Sequence, residues 1–278
     1  MISYLRNKKS EKLIRFKESD MKNIRLADGN LMPQIGLGTW ELRGDACKSA
    51  VKNAINLGYT HIDTAWLYQN QREIGQAIVE SDINRSNLFI TSKIWRTELS
   101  YNQVLTQCDE ILSQLQMDYV DLLLIHWPSN ENIPLSETIE AFNYVQSQGK
   151  VISIGVSNFS EDLIDQTKAI SKTPINVNQV PYHIRHQTPN LLNYCQESNV
   201  AVTAYCPLGR TQILEEPLLT KIAKRHNKST AKVALLWLIQ KNMIVIPKAS
   251  STKHLKDNLD LFSWKLSEDE VKQLDNIS

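Results

Sequence analysis

The sequence has no apolar run near the roughly 18 residues that a membrane-spanning helix needs, so no membrane association is expected. It has no excess of either charge. Its 31 basic and 30 acidic residues leave a net +1, which draws the chain neither to nucleic acid nor to an anionic membrane. Cysteine is scarce. Cys47, Cys108, Cys195 and Cys206 stand too far apart for a CxxC or zinc spacing, so the expectation is reduced thiols in a cytoplasmic protein and no metal centre. The Gly-rich turn "GLGTW", at Gly36 and Gly38, lacks the third glycine of a dinucleotide fingerprint, and a lone GxG does not support a Rossmann domain. The opening "MISYLRNKKSEKLIRFKESD" has no apolar core long enough for a secretory signal, and Glu11, Glu18 and Asp20 speak against a transit peptide. Residues 1–22 are expected to form a flexible extension, with Met21 an alternative start, and residues 23–278 a single domain.

What is present is a rhythm. Strand-like apolar runs follow one another as "IGLGTW", "HIDTAW", "LFITSKIW", "VDLLLIHW", "ISIGVSNF", "INVNQV", "VAVTAYCPLG" and "MIVIPKAS". Helical patterns lie between them. "ACKSAVKNAINLG" closes on Gly58, "SYNQVLTQCDEILSQLQ" opens on the N-cap candidate Ser100, and "TAKVALLWLIQK" is apolar at helical spacing. Alternating strands and helices mean βαβ units and a parallel sheet. Runs such as "VDLLLIHW" are apolar on both faces, as expected where helices cover one side and a packed barrel interior fills the other. A (β/α)8 TIM barrel takes about 250 residues and would use nearly the whole chain, so it is preferred to a doubly wound sheet. Ahead of it, "IRLADGNLMPQIGLG" reads as a β-hairpin turning at Asp28-Gly29, placed to cap the barrel bottom.

In such a barrel the chemistry sits at the C-terminal ends of the strands. In order these carry Trp40, Asp63, Lys93 with Trp95, His126 with Trp127, Ser157 with Asn158, Gln179, Tyr205 and Lys248. Singly, each has a bland explanation: a histidine closing a strand is commonly a hydrogen-bonded core residue, and a buried Lys–Asp pair is commonly structural. Collected at one face, they make a candidate site. "HIDTAWLYQN" sets an acid, Asp63, and a phenol, Tyr68, at one strand mouth. A free tyrosine titrates near 10 and is a poor acid at neutral pH, but a cation within about 4–6 Å stabilises the phenolate. Lys93 is the candidate cation, Asp63 the group that keeps it charged, and His126 the group that orients a carbonyl oxygen. Trp40, Trp95 and Trp127 would line the cavity. An acid aimed at a developing alkoxide needs a hydride donor, which no side chain supplies, so a nicotinamide cofactor is implied. Trp66 is either a further pocket residue or a packing residue of the rim.

The segments "GYTHIDTAWLY", "FITSKIW", "DYVDLLLIHWP", "GKVISIGVSNFS", "NQV", "AYCPLG" and "IPKASSTKHLKDN" resemble the aldo-keto reductase family, from about Asn23 onward. "GQAIVESDINRSNLFITSKIW" and "LIHWPSNENIPLSETIEAF" look most like its short bacterial members, among them 2,5-diketo-D-gluconate reductases, which also reduce methylglyoxal. The resemblance implies reduction of aldehydes and ketones in a (β/α)8 barrel that binds NADPH in an extended pose. It implies Tyr68 as general acid, Lys93 and Asp63 tuning it, and His126 positioning the carbonyl. Ser157, Asn158 and Gln179 match residues that hold the nicotinamide carboxamide, and Tyr205 the aromatic that stacks on its ring. Thr39, Trp40, Asp63, Pro207 and Leu208 complete that end of the cofactor site. Lys248, Ala249, Ser250, Ser251, His254, Asp257 and Asn258 would hold the adenosine end and its phosphate. Trp40, Trp66, Tyr68, Trp95, His126 and Trp127 would face the substrate.

The sequence departs from the family pattern in three places. His254 stands where an arginine often pairs with the 2′-phosphate; histidine lacks the guanidinium fork, which leaves NADH open beside NADPH. Cys206 stands where serine is frequent, which weakens one contact to the pyrophosphate. The sequence runs to Ser278, soon after "SEDEVKQLDN", without the long C-terminal loop of many animal members, so an open pocket for small or varied carbonyls is expected. Two rival readings stand beside this one. A metal-dependent barrel hydrolase would use His61, Asp63 and His126 as ligands but gives Tyr68 and Lys93 no role. A non-catalytic cofactor-binding subunit would not need an intact tetrad. The expected partner is a small carbonyl substrate, with no nucleic acid and no membrane; nothing demands a second chain, so a monomer is expected.

Overall fold

The structure, a computed structural model, describes residues 23–277; the extension expected over residues 1–22 lies outside the described residues. The hairpin comes first. β1 (Asn23–Arg25) pairs antiparallel with β2 (Leu31–Pro33), Ile24 opposite Met32. Gly29 takes φ 92°, a left-handed value open to a residue without Cβ, and Asp28 Oδ1 accepts from the Asn30 amide at 3.0 Å.

Each apolar run then becomes a parallel strand: β3 (Leu37–Gly38), β4 (His61–Asp63), β5 (Phe89–Ile94), β6 (Val120–Ile125), β7 (Val151–Ser157), β8 (Ile175–Pro181), β9 (Ala201–Tyr205) and β10 (Ile244–Val245). They pair in chain order across one eight-stranded sheet. The crossovers are α1 (Gly44–Asn56), α2 (Gln71–Val79), α3 (Tyr101–Leu115), α4 (Leu135–Ser147), α5 (Glu161–Ile170), α6 (Pro189–Glu197), and α7 (Pro217–His226) with α8 (Thr230–Gln240); α9 (Thr252–Leu259) and α10 (Glu268–Asp275) follow β10. Ser100 is the N-cap residue of α3, but its side chain does not cap; the Tyr101 amide instead donates to Glu137 Oε1 on α4 at 2.8 Å.

The sheet closes on itself at a seam between its first and last strands. Ile35 bridges Val245 in parallel, the Gly36 amide donates to Val245 O at 2.9 Å, and the Gly38 amide to Pro247 O at 3.3 Å. The seam explains "GLGTW". A Cβ on Gly38 would stand 2.4 Å from Ile246 O, and one on Gly36 2.4 Å from the His61 ring. Both glycines serve close approach, not phosphate binding.

Strand periodicity decides what fills the barrel. Leu123 and Ile125 join the core cluster shared with the helices, while Phe89, Leu122, Leu124, Val177 and Ile244 form an inner cluster with Ile24, Leu26 and Met32 of the hairpin. The hairpin therefore plugs the bottom of the barrel. Polar contacts fix it there: Ser153 Oγ donates to Asp28 Oδ2 at 2.6 Å, and the Asp28 amide donates to Asn176 Oδ1 at 3.0 Å. Two residues further along the same inner rows come Lys93 after Thr91, His126 after Leu124, and Gln179 after Val177. The apolar plug fills the bottom, and the alternation delivers polar groups to the top. A one-residue slip of β6 would turn His126 toward the helices and exchange Leu122 and Leu124 for Leu123 and Ile125 in the interior.

Candidate active site

A cavity of about 490 Å³ opens at the C-terminal ends of the strands. Its wall includes Thr39, Trp40, Asp63, Tyr68, Trp95, His126, Trp127, Ser157, Asn158, Gln179, Tyr205, Pro207, Leu208 and Lys248. The structure thus brings together most residues named from the sequence. Lys93 is wholly buried beneath them.

Tyr68 lies on a short 3₁₀ turn, Trp66–Tyr68, just after β4. Buried Asn70 anchors that turn, donating to Thr39 O at 2.9 Å and Leu42 O at 3.1 Å and accepting from Thr64 Oγ1 at 2.8 Å. Lys93 Nζ donates to Asp63 Oδ1 at 2.6 Å and to Thr64 O at 2.7 Å, and lies 5.1 Å from the centre of the Tyr68 ring. The other Asp63 oxygen accepts from Gln179 Nε2 at 2.7 Å. One buried cluster therefore ties β4, β5 and β8 together under the phenol. His126 packs edge-on against Tyr68 and Trp95, with ring centres 5.7 and 5.1 Å away.

The electrostatics correct one expectation. Burial, then the Asp63 carboxylate, then Cys206 push the Tyr68 phenol well above the usual tyrosine range, not below it. Lys93 does not reverse this, because its charge is matched by Asp63 at 2.6 Å. Burial also lowers Lys93, with Asp63 opposing. Tyr68 thus holds its proton in the resting state. Burial and the charge of Lys93 bring His126 down to about 3, so it is neutral near pH 7 and acts as a hydrogen-bonding group, not a cation.

The nicotinamide end fits these residues. Gln179 gives one Nε2 hydrogen to Asp63, and its Oε1 can accept from a carboxamide N–H. Asn158 is more committed than expected: Nδ2 donates to His126 O and to Ser157 Oγ, each at 3.0 Å, and Oδ1 accepts from the Tyr205 hydroxyl at 2.9 Å. Tyr205 is thereby held by its polar tip while its ring lines the cavity, as a stacking platform requires. The adenosine segment is less gathered. Of its residues only Lys248 lines the cavity. Ala249 and Asn258 are buried, Ser250 and His254 are exposed, and Asp257 Oδ1 lies 3.5 Å from Lys232 Nζ. Ser251 caps α9, its Oγ accepting from the His254 amide at 3.2 Å.

Trp66 is a correction. Its indole donates to Glu110 Oε2 on α3 at 2.8 Å, and the ring belongs to a shallow depression with Arg72 and Gln114, outside the main cavity. Glu41, Leu67, Arg210 and Thr211 line the cavity without having been singled out by their sequence context. Leu67 lies on the 3₁₀ turn beside Tyr68, Glu41 in a turn, and Arg210 and Thr211 at a kink with left-handed backbone, and none of these short irregular stretches carries a periodic signal. Among the described residues no three of His, Cys, Asp and Glu converge as metal ligands, and His61 is instead paired to Thr91 Oγ1 at 3.2 Å.

A parallel barrel with a proton-holding phenol, a buried ammonium and a neutral imidazole at its mouth has the construction of a barrel oxidoreductase acting on carbonyls. The chain belongs to the Aldo/keto reductase family, whose pattern it matches over residues 34–278. It is 38% identical to an aldo-keto reductase of Mycolicibacterium smegmatis over 90% of this chain and 91% of that protein. It is 36% identical to the glyoxal reductase of Bacillus subtilis over 92% of each. Among solved structures, a putative 2,5-diketo-D-gluconic acid reductase B superposes with a TM-score of 0.90 at 34% identity, covering 93% of this chain and 92% of that one. A Bombyx mori aldo-keto reductase in complex with NADP gives 0.87 at 33% identity, covering 92% of each. Carbonyl reduction with NAD(P)H is the chemistry of this family.

Proposed function

We propose that this chain reduces aldehydes and ketones to alcohols with NADPH, and with NADH as well, its substrates being small dicarbonyls such as methylglyoxal or diketogluconate and aromatic aldehydes. The observation that carries the reading is the Asp63–Lys93 pair buried beneath Tyr68 at the cavity wall. Gln179 and Tyr205 would hold the nicotinamide, which would supply the hydride. The chain's own residues do the rest. The raised phenol keeps a proton ready at Tyr68 Oη. As charge builds on a carbonyl oxygen beside it, that proton transfers, and the phenolate left behind faces the Lys93 ammonium. Neutral His126 hydrogen-bonds and orients the carbonyl. Trp40, Trp95 and Trp127 give the cavity apolar surface for the rest of the substrate to pack on. Relatives named for glyoxal and for diketogluconate support small dicarbonyls, and the NADP complex of a neighbour supports NADPH. The enzyme acts on a free small molecule and works as a monomer.

The test is oxidation of NADPH, then NADH, against methylglyoxal, 2,5-diketogluconate, nitrobenzaldehyde and an aldose. Tyr68→Phe should lower kcat by about 10²–10⁴-fold and leave the Kd for NADPH within twofold. A variant that keeps more than about a tenth of wild-type kcat would assign the proton to another group.

A further inference from the structure

The lysine assigned above to a cofactor phosphate already has a partner. Lys248 Nζ lies 3.1 Å from Glu41 Oε2, and both residues line the cavity where its first and last strand loops meet. Glu41 directly follows Trp40 and holds φ 65°, a left-handed backbone that a glutamate adopts only when its surroundings keep it there. The other cation of the wall, Arg210, sits 4.8 Å over the Trp40 ring. His254 brings no guanidinium to help. The ammonium on this wall therefore already faces a carboxylate.

We infer that Glu41 determines cofactor specificity: by holding Lys248 it competes with the 2′-phosphate of NADPH, and so lets the chain take NADH on nearly equal terms. This rests on the nicotinamide reading given above. NADH carries no 2′-phosphate and has nothing to displace. NADPH must either take Lys248 from Glu41 or lie beside a second negative charge. The pair is half exposed, 47% and 54%, so each effect is small. Losing an exposed ion pair and meeting a like charge a few ångströms away in water together weaken binding about three- to tenfold.

The experiment is equilibrium binding. The full-length protein is titrated with NADP⁺ and with NAD⁺, following the fluorescence of the cavity tryptophans. The variants are Glu41→Gln, Glu41→Ala, Lys248→Met and Glu41→Gln with Lys248→Met. Glu41→Gln and Glu41→Ala should each tighten NADP⁺ about three- to tenfold and change NAD⁺ less than twofold. On the Lys248→Met background, where only the like charge remains to be removed, Glu41→Gln should tighten NADP⁺ clearly less than it does in the wild-type protein, by under about threefold. Equal shifts for both nucleotides, no shift for either, or a gain undiminished by loss of Lys248 would overturn the inference while leaving the nicotinamide reading intact. Wild-type protein that binds neither nucleotide would overturn that reading, and the inference with it.

Discussion

Replacing Lys93 by methionine isolates the buried pair. The substitution keeps length and removes one charge from a site where Lys93 is 0% and Asp63 1% exposed. Asp63 would keep the hydrogen bond from Gln179 at 2.7 Å and lose the ammonium at 2.6 Å, so a carboxylate would stay buried with no countercharge. Breaking a buried pair in this way costs about 3–5 kcal/mol. Against a total stability of about 5–15 kcal/mol that is a large fraction, and at roughly 2–4 °C per kcal/mol the Tm should fall by about 6–20 °C. Urea titration followed by circular dichroism and by tryptophan fluorescence measures it. The double variant Asp63→Asn with Lys93→Met separates charge from packing. It leaves no charge buried and keeps an acceptor for Gln179, so it should recover more than about 2 kcal/mol over Lys93→Met alone. Neither variant should turn over carbonyls at more than a small fraction of the wild-type rate. A single variant within about 1 kcal/mol of wild type, or a double variant no more stable than the single, would refute the picture of a dry, charged pair.

Gly38→Ala should cost about 1–3 kcal/mol in urea unfolding, because the new methyl meets the Ile246 carbonyl at 2.4 Å on the barrel seam, where neither backbone can yield cheaply; an unchanged midpoint would mean the seam is looser than described. Burial pushes His61 down to about 4 and His126 to about 3, whereas in the unfolded chain both take up protons near 6.5. Their contribution is complete above pH 6.5 and is lost as the pH falls toward 3, at up to about 1.4 kcal/mol per pH unit for each, so urea midpoints should drop from pH 7.5 to 5. A flat midpoint would place both rings in water. Trp66→Phe should leave KM for methylglyoxal within twofold, since the indole serves Glu110 and not the cavity; a large rise in steady-state KM would return Trp66 to the pocket.

Some of this architecture is legible in the chain alone. Barrel strands are buried on both faces, so they stand out as unbroken apolar runs, and each run identified in the sequence became a strand of the barrel. Period-two alternation then carries Asp63, Lys93, His126 and Gln179 to inner positions at the strand ends. Each is conspicuous because it is polar where its neighbours are not. Residues in loops gave no such signal. Glu41, Arg210 and Thr211 reach the cavity through left-handed backbones at φ 65°, 53° and 75°, which their residue types do not announce. Trp66 misled for a geometric reason. Two residues before Tyr68, it would share its face in a strand, but a 3₁₀ turn has about three residues per turn and sends the two rings apart.

The charge state of the site was likewise out of reach. The amino-acid sequence by itself determined which groups stand at the strand mouths: a phenol, an ammonium, a carboxylate and an imidazole, in an order dictated by alternation and spacing. Only the tertiary structure decided that Asp63 matches the charge of Lys93, that burial keeps the proton on Tyr68, that His126 is neutral, and that Lys248 is held by Glu41. Proton affinity and ion pairing depend on how much water surrounds a group and which charge lies within a few ångströms. Both are set by residues far apart in the chain that meet only when the barrel closes.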